Sequence, residues 1–337
     1  MATRKGNTFT FEKEIRVISS AGVAGRLEGE GPLGKCFDRV FPDSTMGEIC
    51  WEKAESDLLT SAMQTAMKKA GFDDNRIDAV FAGDLLNQCI SSSFSLRSMD
   101  VPFCGMFGAC STMALSSLAA CLAVESGAMN ICMAATSSHF CSAEKQFRFP
   151  LEYGGQRTPT AQRTVTGAGA LILSESNSDK LPRIKSAHLG TVQDMGIIDS
   201  TNMGAAMAPA ARKTIADFLR DTNTLPSDYD MILTGDLGLV GSRLLRELMQ
   251  KEDNFDISNV HQDCGLMIFD RDNQDVHAGG SGCGCCGSVL CSLILDEMRR
   301  GKIRNLLFVA TGALMSPVSS REGESIPGVA HLLHFVI

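Results

Sequence analysis

The sequence predicts an α/β fold built by duplication, with two similar halves packed as a layered α/β sandwich, and three observations carry that expectation. An apolar strand running into Gly-Asp-Leu occurs twice, at residues 77–88 (IDAVFAGDLLNQ) and 229–241 (YDMILTGDLGLVG). A helix opened by small residues follows each, from Phe107 (FGACSTMALSSLAACLAVESGA) and from Gly279 (GGSGCGCCGSVLCSLILDEMRRGK). A buried strand carrying Ala-Thr and then a small residue comes next, at residues 128–139 and 303–314. Repeated order exposes architecture that composition does not, and strands alternating with helices predict parallel-rich sheets with helices on their faces.

Each half opens on an extended segment, EIRVISSAGVAG at 14–25 and PRIKSAHLGTVQ at 182–193. The first closes on a strand at 164–175, the second on GVAHLLHFVI at 328–337. The polar stretch SNSDKLPR, 176–183, reads as the join. The first half is therefore 1–180, carrying the Cys110 helix, and the second 181–337, carrying pocket loops at 234–241 and 277–287. The helix of residues 109–124 is small or apolar on every face and belongs between sheets. That of 288–300 turns charged at its end (DEMRRGK) and should emerge into water there, while 57–70 and 208–218 read as exposed amphipathic helices.

With 337 residues and 44% apolar content the chain can bury a large core. A net charge of −8, with charges scattered singly, excludes the clustered basic face that a nucleic-acid partner requires. The start, MATRKGNTFTFEKEIRV, is too polar for a signal peptide, and no apolar run reaches the length of a membrane span, roughly 18 residues or more. Most of the 13 cysteines, such as Cys104, Cys121, Cys132 and Cys291, sit in apolar stretches as small hydrophobes, which fits a reducing compartment. Cys283, Cys285 and Cys286 have no second pair at zinc-ligand spacing, so no metal site is expected.

Cys110 follows Gly-Ala, precedes Ser-Thr and stands at the start of the buried helix. Free N–H groups and the helix dipole there stabilise a thiolate and hold an oxyanion, as an acyl-transfer nucleophile needs; the alternative is a small hydrophobe at a tight turn. Gly282, Gly284 and Gly287 fit G-x-G-x-x-G, but the strand before them is short and no acid ends the next strand, so close helix packing explains them better than a dinucleotide.

GACST at Gly108, TGAGALIL at Thr166 and the two-half organisation resemble the thiolase and ketoacyl synthase superfamily over nearly the whole chain. The resemblance implies a thiolase-like fold, a dimer, and an acylated cysteine assisted by His and Asn, or by two His, from the second half. Here Gly235 and Asp236 stand where a histidine is expected, and Gly280 and Ser281 where a His or Asn is. His261, in VHQDCG before the apolar strand GLMIFD, and His277 do not follow the expected strands; His139, ending its strand, is a better candidate for a pocket wall.

A longer set of signatures, GPLGKCFD, AGDLLNQ, FGACST, ATSSH, AEKQFRFPLEYGGQRTPTAQRTVTGAGA, MGAAMAPAA and ATGALMSP, resembles the stage V sporulation protein AD family from about residue 31 to 317. That resemblance implies binding of dipicolinic acid, free or as its calcium chelate, and a part in its uptake into the developing spore with membrane proteins of the same operon. It also implies a peripheral place at the forespore and spore inner membrane. No cofactor is expected beyond calcium within the chelate. A flat dianion in a retained acyl-transfer pocket would meet Cys110, His139, Arg148, Asp236, Gly280, Ser281 and Thr311. Lys145 and Arg157 are further cations, or members of a solvated loop. Asp84, Asp236 and Asp263 either face calcium or cap turns. The rival expectation is an active ketoacyl synthase III-like acyltransferase with Cys110 as nucleophile and Asp236 or a displaced histidine as base.

Overall fold

The structure, a computed structural model, describes residues 2–147 and 157–337. Among these the strands that build the core form two sheets of the same order. In the first, β1 (Ile15–Ala24), β2 (Ala79–Gly83), β3 (Phe103–Gly105), β4 (Ile131–Ser138) and β5 (Gly167–Glu175) lie as β1-β5-β4-β2-β3. In the second, β6 (Arg183–His188), β7 (Met231–Thr234), β8 (His261–Asp263), β9 (Asn305–Ala313) and β10 (Gly328–Val336) lie as β6-β10-β9-β7-β8. Directions match as well. β2 is parallel to β3 and β4, and β7 to β8 and β9. β5 and β10 run antiparallel to both of their neighbours. One antiparallel pairing, Arg16 opposite Arg183, joins the two sheets. They are less parallel than the strand and helix alternation suggests, because the segments that open and close each half return beside its parallel centre.

The helices are α1 (Trp51–Ala70), α2 (Thr112–Glu125), α3 (Phe140–Phe147), α4 (Met203–Thr222), α5 (Gly238–Asp253) and α6 (Cys283–Val289). α6 runs on through a π-helical turn at Leu290–Ile294 and ends at Leu295–Arg299. α1 packs on the outer face of the first sheet with Met133, Ala135 and Ile172. α4 and α5 cover the outer face of the second with Leu307, Val309 and Leu332. Between the sheets lie α2 and α6, packed on Cys132, Ala134, Leu171, Leu306 and Phe308. Strand side chains therefore alternate between an outer and a central layer, the period of two that a strand covered on both faces requires.

Several boundaries differ from the sequence reading. α1 starts at Trp51, ahead of 57, because the buried Glu55 interrupts its apolar stripe. α4 starts at Met203, ahead of 208, with Pro209 inside it, where proline reads as a boundary. GLMIFD, expected as a strand after His261, contributes to a helical turn at Cys264–Met267 instead; the Asp263 side chain accepts the Leu266 N–H at 3.2 Å and caps it.

The glycines of residues 282–287 are packing residues. Gly284 and Gly287 lie across Gly167 and Gly169 of β5, so close that a Cβ on Gly169 would overlap the Gly287 carbonyl. Gly169→Ala should therefore lower unfolding free energy by at least about 3 kcal/mol or abolish the cooperative transition. Gly71→Ala, at a positive φ with open space around it, should cost only about 1–2 kcal/mol. Urea denaturation followed by circular dichroism checks both; equal losses would mean that the two backbones do not meet as described.

Candidate functional site

The start of α2 is set by a strained turn. Ala109 has φ +50°, Ser111 Oγ donates to the Gly108 carbonyl at 2.6 Å, and Thr112 Oγ1 donates to the Ala109 carbonyl at 2.6 Å. The end of β9 leaves no room behind that turn: a Cβ on Gly312 would overlap the Gly108 carbonyl. Cys110 is held in the bend, buried, with its thiol facing Asp236.

Asp236 is the hub of the site. Ser281 Oγ (3.1 Å) and the Gly282 N–H (2.8 Å) donate to its Oδ2, and Thr311 Oγ1 (2.8 Å) donates to Oδ1. Burial raises the Asp236 pKa, while Cys110, Gly282, Thr311 and Ser281 act to lower it. The Cys110 thiol is pushed well above the ordinary thiol range, first by burial, then by the negative charge of Asp236 and by Cys283. The site therefore holds a protonated thiol against a buried carboxylate. This departs from the thiolate that a helix N-terminus alone would favour.

The structure brings Cys110, Asp236, Ser281 and Thr311 together, with Gly280 one residue behind in the short strand that pairs with Arg163–Thr164. His139 lies elsewhere. Its Nε2 meets the Ser44 carbonyl at 2.7 Å, its Nδ1 accepts the Cys141 N–H at 3.1 Å, and burial lowers its pKa, so it is not a wall of the Cys110 cleft. Arg148 lies outside the described residues. Lys145 pairs with Glu52 at 2.6 Å, and Arg157 donates to the Asp275 carbonyl at 2.7 Å; neither lines the cleft.

The displaced histidines are equally engaged. His261 meets Thr234 Oγ1 through Nε2 at 2.9 Å and accepts Arg246 Nε through Nδ1 at 3.1 Å. Burial, then the Arg246 charge, pushes its pKa down to about 3, so it is a neutral structural ring. His277 sits at the surface beside Asp275 at 3.1 Å. Asp263 accepts the Leu237 and Gly238 N–H groups at 2.8 and 3.0 Å, with burial pushing its pKa to about 7. Asp84 accepts Leu86 N–H, Ser92 N–H and Ser92 Oγ at 2.8, 2.8 and 2.6 Å. Both are spent on holding loops.

Sequence reasoning missed Gln162. Its Nε2 donates to the Asp236 carbonyl at 2.7 Å and to the Gly280 carbonyl at 2.8 Å, fastening the two pocket loops to each other. It lies inside the signature AEKQFRFPLEYGGQRTPTAQRTVTGAGA, but nothing in the sequence shows which loops its amide meets. The cleft above Cys110 has a volume of about 40 Å³ and apolar walls from Phe107, Phe147, Met203 and Met315, with Ser281 at its polar end. That is room for roughly three waters.

The model of the family Stage V sporulation protein AD (SpoVAD) matches residues 5–336. The chain belongs to the stage V sporulation protein AD family. It is 44% identical over 324 residues to stage V sporulation protein AD of Bacillus subtilis (strain 168), covering 96% of this chain and 95% of that protein. In fold it is similar to a variant of OleA from Xanthomonas campestris, with a TM-score of 0.61 at 12% identity over 97% of this chain and 99% of that one. It is also similar to 3-oxoacyl-[acyl-carrier-protein] synthase III from Aquifex aeolicus VF5, with a TM-score of 0.55 at 11% identity over 96% and 100% of the two chains. The thiolase-like layered fold expected from the sequence is thus shown.

For a member of this family the neutral thiol has a direct chemical consequence. At pH 8 iodoacetamide should alkylate Cys110 at least about 100-fold more slowly than the exposed Cys36, Cys50 and Cys104, as peptide mass spectrometry resolves. Comparable rates would show an accessible thiolate.

Proposed function

We propose that the chain is a non-catalytic binder of dipicolinic acid, taken free or as its calcium chelate, acting in its uptake into the developing spore. One observation carries the reading: the cleft is kept while its thiol is held protonated beside Asp236, with no imidazole turned towards it among the described residues. Nucleophilic catalysis needs a base that removes the thiol proton. A buried carboxylate that keeps the thiol protonated does the opposite. Family membership supports the sporulation role, and the ligand is part of the proposal. The proposal includes the membrane proteins of the same operon as partners, and a peripheral place at the forespore and spore inner membrane. Among the described residues no helix is long and apolar enough to cross a membrane.

The working unit in this proposal is a homodimer. β3 is an exposed sheet edge, with Phe103, Cys104 and Gly105 open to water and Phe94 and Phe107 exposed beside it, and an unpaired apolar edge invites a second copy. Sedimentation equilibrium at micromolar concentration should show a dimer that Phe103→Asp converts to a monomer. A monomeric parent chain would remove this part of the proposal.

Calorimetric titration with dipicolinate, with and without calcium, should give saturable binding. Incubation with acetyl- or malonyl-CoA followed by intact-mass analysis should leave the chain unmodified. An acyl adduct on Cys110 without dipicolinate heat would instead establish the ketoacyl synthase III-like acyltransferase.

A further inference from the structure

Five large apolar side chains are exposed on two adjoining segments of the second half: Leu189, Val192, Met195 and Ile198, at every third position of residues 189–198, and Val318. Met195 is 69% exposed, Ile198 65% and Val318 64%, so these three are almost wholly open to water. Apolar residues scattered singly over a surface need no explanation, but several gathered on neighbouring segments mark a place where something else binds.

The backbone that displays them is pinned. Gln193 and Gly328 exchange both N–H···O bonds, at 2.8 and 2.7 Å, and the Ile326 N–H donates to the Ile197 carbonyl at 2.7 Å. Ser325 Oγ donates to Asp194 Oδ2 at 2.5 Å. The Leu314 N–H donates to the Pro327 carbonyl at 2.8 Å, closing the second segment round the short helix Pro317–Arg321 that carries Val318. Ile197 turns inward where Met195 and Ile198 stay out. It packs on the apolar cluster of α4 and β9 that also holds Met203 and Met315, two walls of the Cys110 cleft. The exposed surface therefore adjoins the cleft, and side chains on a fixed backbone lose little freedom when a partner covers them.

Charge selects the occupant. Residues 189–200 and 314–328 carry Asp194, Asp199, Glu322 and Glu324 against a single basic residue, Arg321. All four acids are exposed. An anionic lipid surface would be repelled by them. A second copy of the chain packed here about a two-fold axis would set each acid against the same acids of its partner. A partner that brings apolar side chains together with Lys or Arg meets both requirements. Cytoplasmic loops of membrane proteins carry that excess of Lys and Arg.

We propose that the surface formed by Val192, Met195, Ile198 and Val318 docks a Lys- and Arg-bearing cytoplasmic loop of a membrane protein, whose cations meet the acids of the same two segments. The inference deepens the function proposed above and rests on that reading for the class of partner, the membrane proteins of the same operon. It sets the partner beside the Cys110 cleft, where a ligand passing between membrane and chain would enter.

Each membrane protein of the operon, purified in detergent, is the probe, and biolayer interferometry on the full chain reads its affinity. At least one should bind. Met195→Asp with Ile198→Asp should weaken that binding at least about 30-fold, the effect of losing central apolar contacts. Glu322→Lys with Glu324→Lys should weaken it about 3- to 10-fold and flatten its dependence on salt. Thermal melting followed by circular dichroism separates lost binding from lost fold, and the Lys pair carries the test if the Asp pair does not fold. Calorimetry should find dipicolinate affinity within about 3-fold of the parent chain in both variants, since neither touches the cleft. Unchanged partner affinity in both variants, or a parent chain that none of the proteins binds, would overturn the surface; dipicolinate binding retained in that chain would leave the proposed function standing. Partner binding lost with the Asp pair, in a chain that gives no dipicolinate heat, would do the reverse. Binding to phosphatidylglycerol vesicles that the Asp pair abolishes would overturn the occupant in favour of lipid. A dimer that the Asp pair converts to a monomer in sedimentation equilibrium would overturn it in favour of a second copy.

Discussion

The structure depends on how closely two helices can be pressed between two sheets. α6 has no wet face and α2 only a half-buried stripe through Leu115, Ala119 and Leu122, so their sequence must be small enough for backbones to meet. Gly284 and Gly287 against Gly167 and Gly169 provide that at α6. At α2, Gly312 of β9 lies on the turn at Gly108. These contacts bring the ends of both central helices to one place. Cys110, Gly282 and Asp236 are neighbours because the layers are thin there. The cleft is a consequence of packing before it is a site.

Two effects compete for the Cys110 proton, and their sizes decide the result. A helix N-terminus contributes about 0.3–2 kcal/mol to a nearby negative charge, or roughly one and a half pKa units at most. Full burial raises an acid by up to about 3–5 units, and a carboxylate alongside adds to it. Cys110 has both of these against it. Burial and Asp236 outweigh the dipole, and the thiol stays neutral. The sequence displays the helix start but not the depth at which it is buried, so the favourable term was legible and the larger, opposing ones were not.

The same distinction runs through the rest of the chain. Duplication was readable because Gly-Asp-Leu, a small-residue helix and an Ala-Thr strand recur in order, and those repeats became β2 and β7, α2 and α6, β4 and β9. The loss of the base positions was readable too, since Asp236, Gly280 and Ser281 are local facts. His139 was misjudged because a residue ending a strand gives no hint of which loop it meets; Ser44 comes from nearly a hundred positions earlier in the sequence. Gln162 was invisible for the same reason, as its value lies in bridging two carbonyls far away in the chain. Glu28 and Arg163 carry unmet hydrogen-bonding capacity, which exists only once burial is known.

Duplication placed an aspartate after the same strand of each half, and the two have been put to different uses. Asp84 gathers the N–H groups of the turn that follows it, where Gln88 and Cys89 both have positive φ. Asp236 reaches across the cleft instead and takes the Gly282 N–H and the Ser281 hydroxyl at the start of α6. Those are the donors that a developing oxyanion in an acyl transfer would require, preorganised at a helix N-terminus. An internal carboxylate already occupies them, and a second negative oxygen there would face repulsion where an enzyme offers stabilisation. Replacing the base with aspartate therefore removes more than a proton acceptor. It fills the donor site with a buried carboxyl group of the chain's own, so that an incoming ligand oxygen would meet Asp236 in place of free donors.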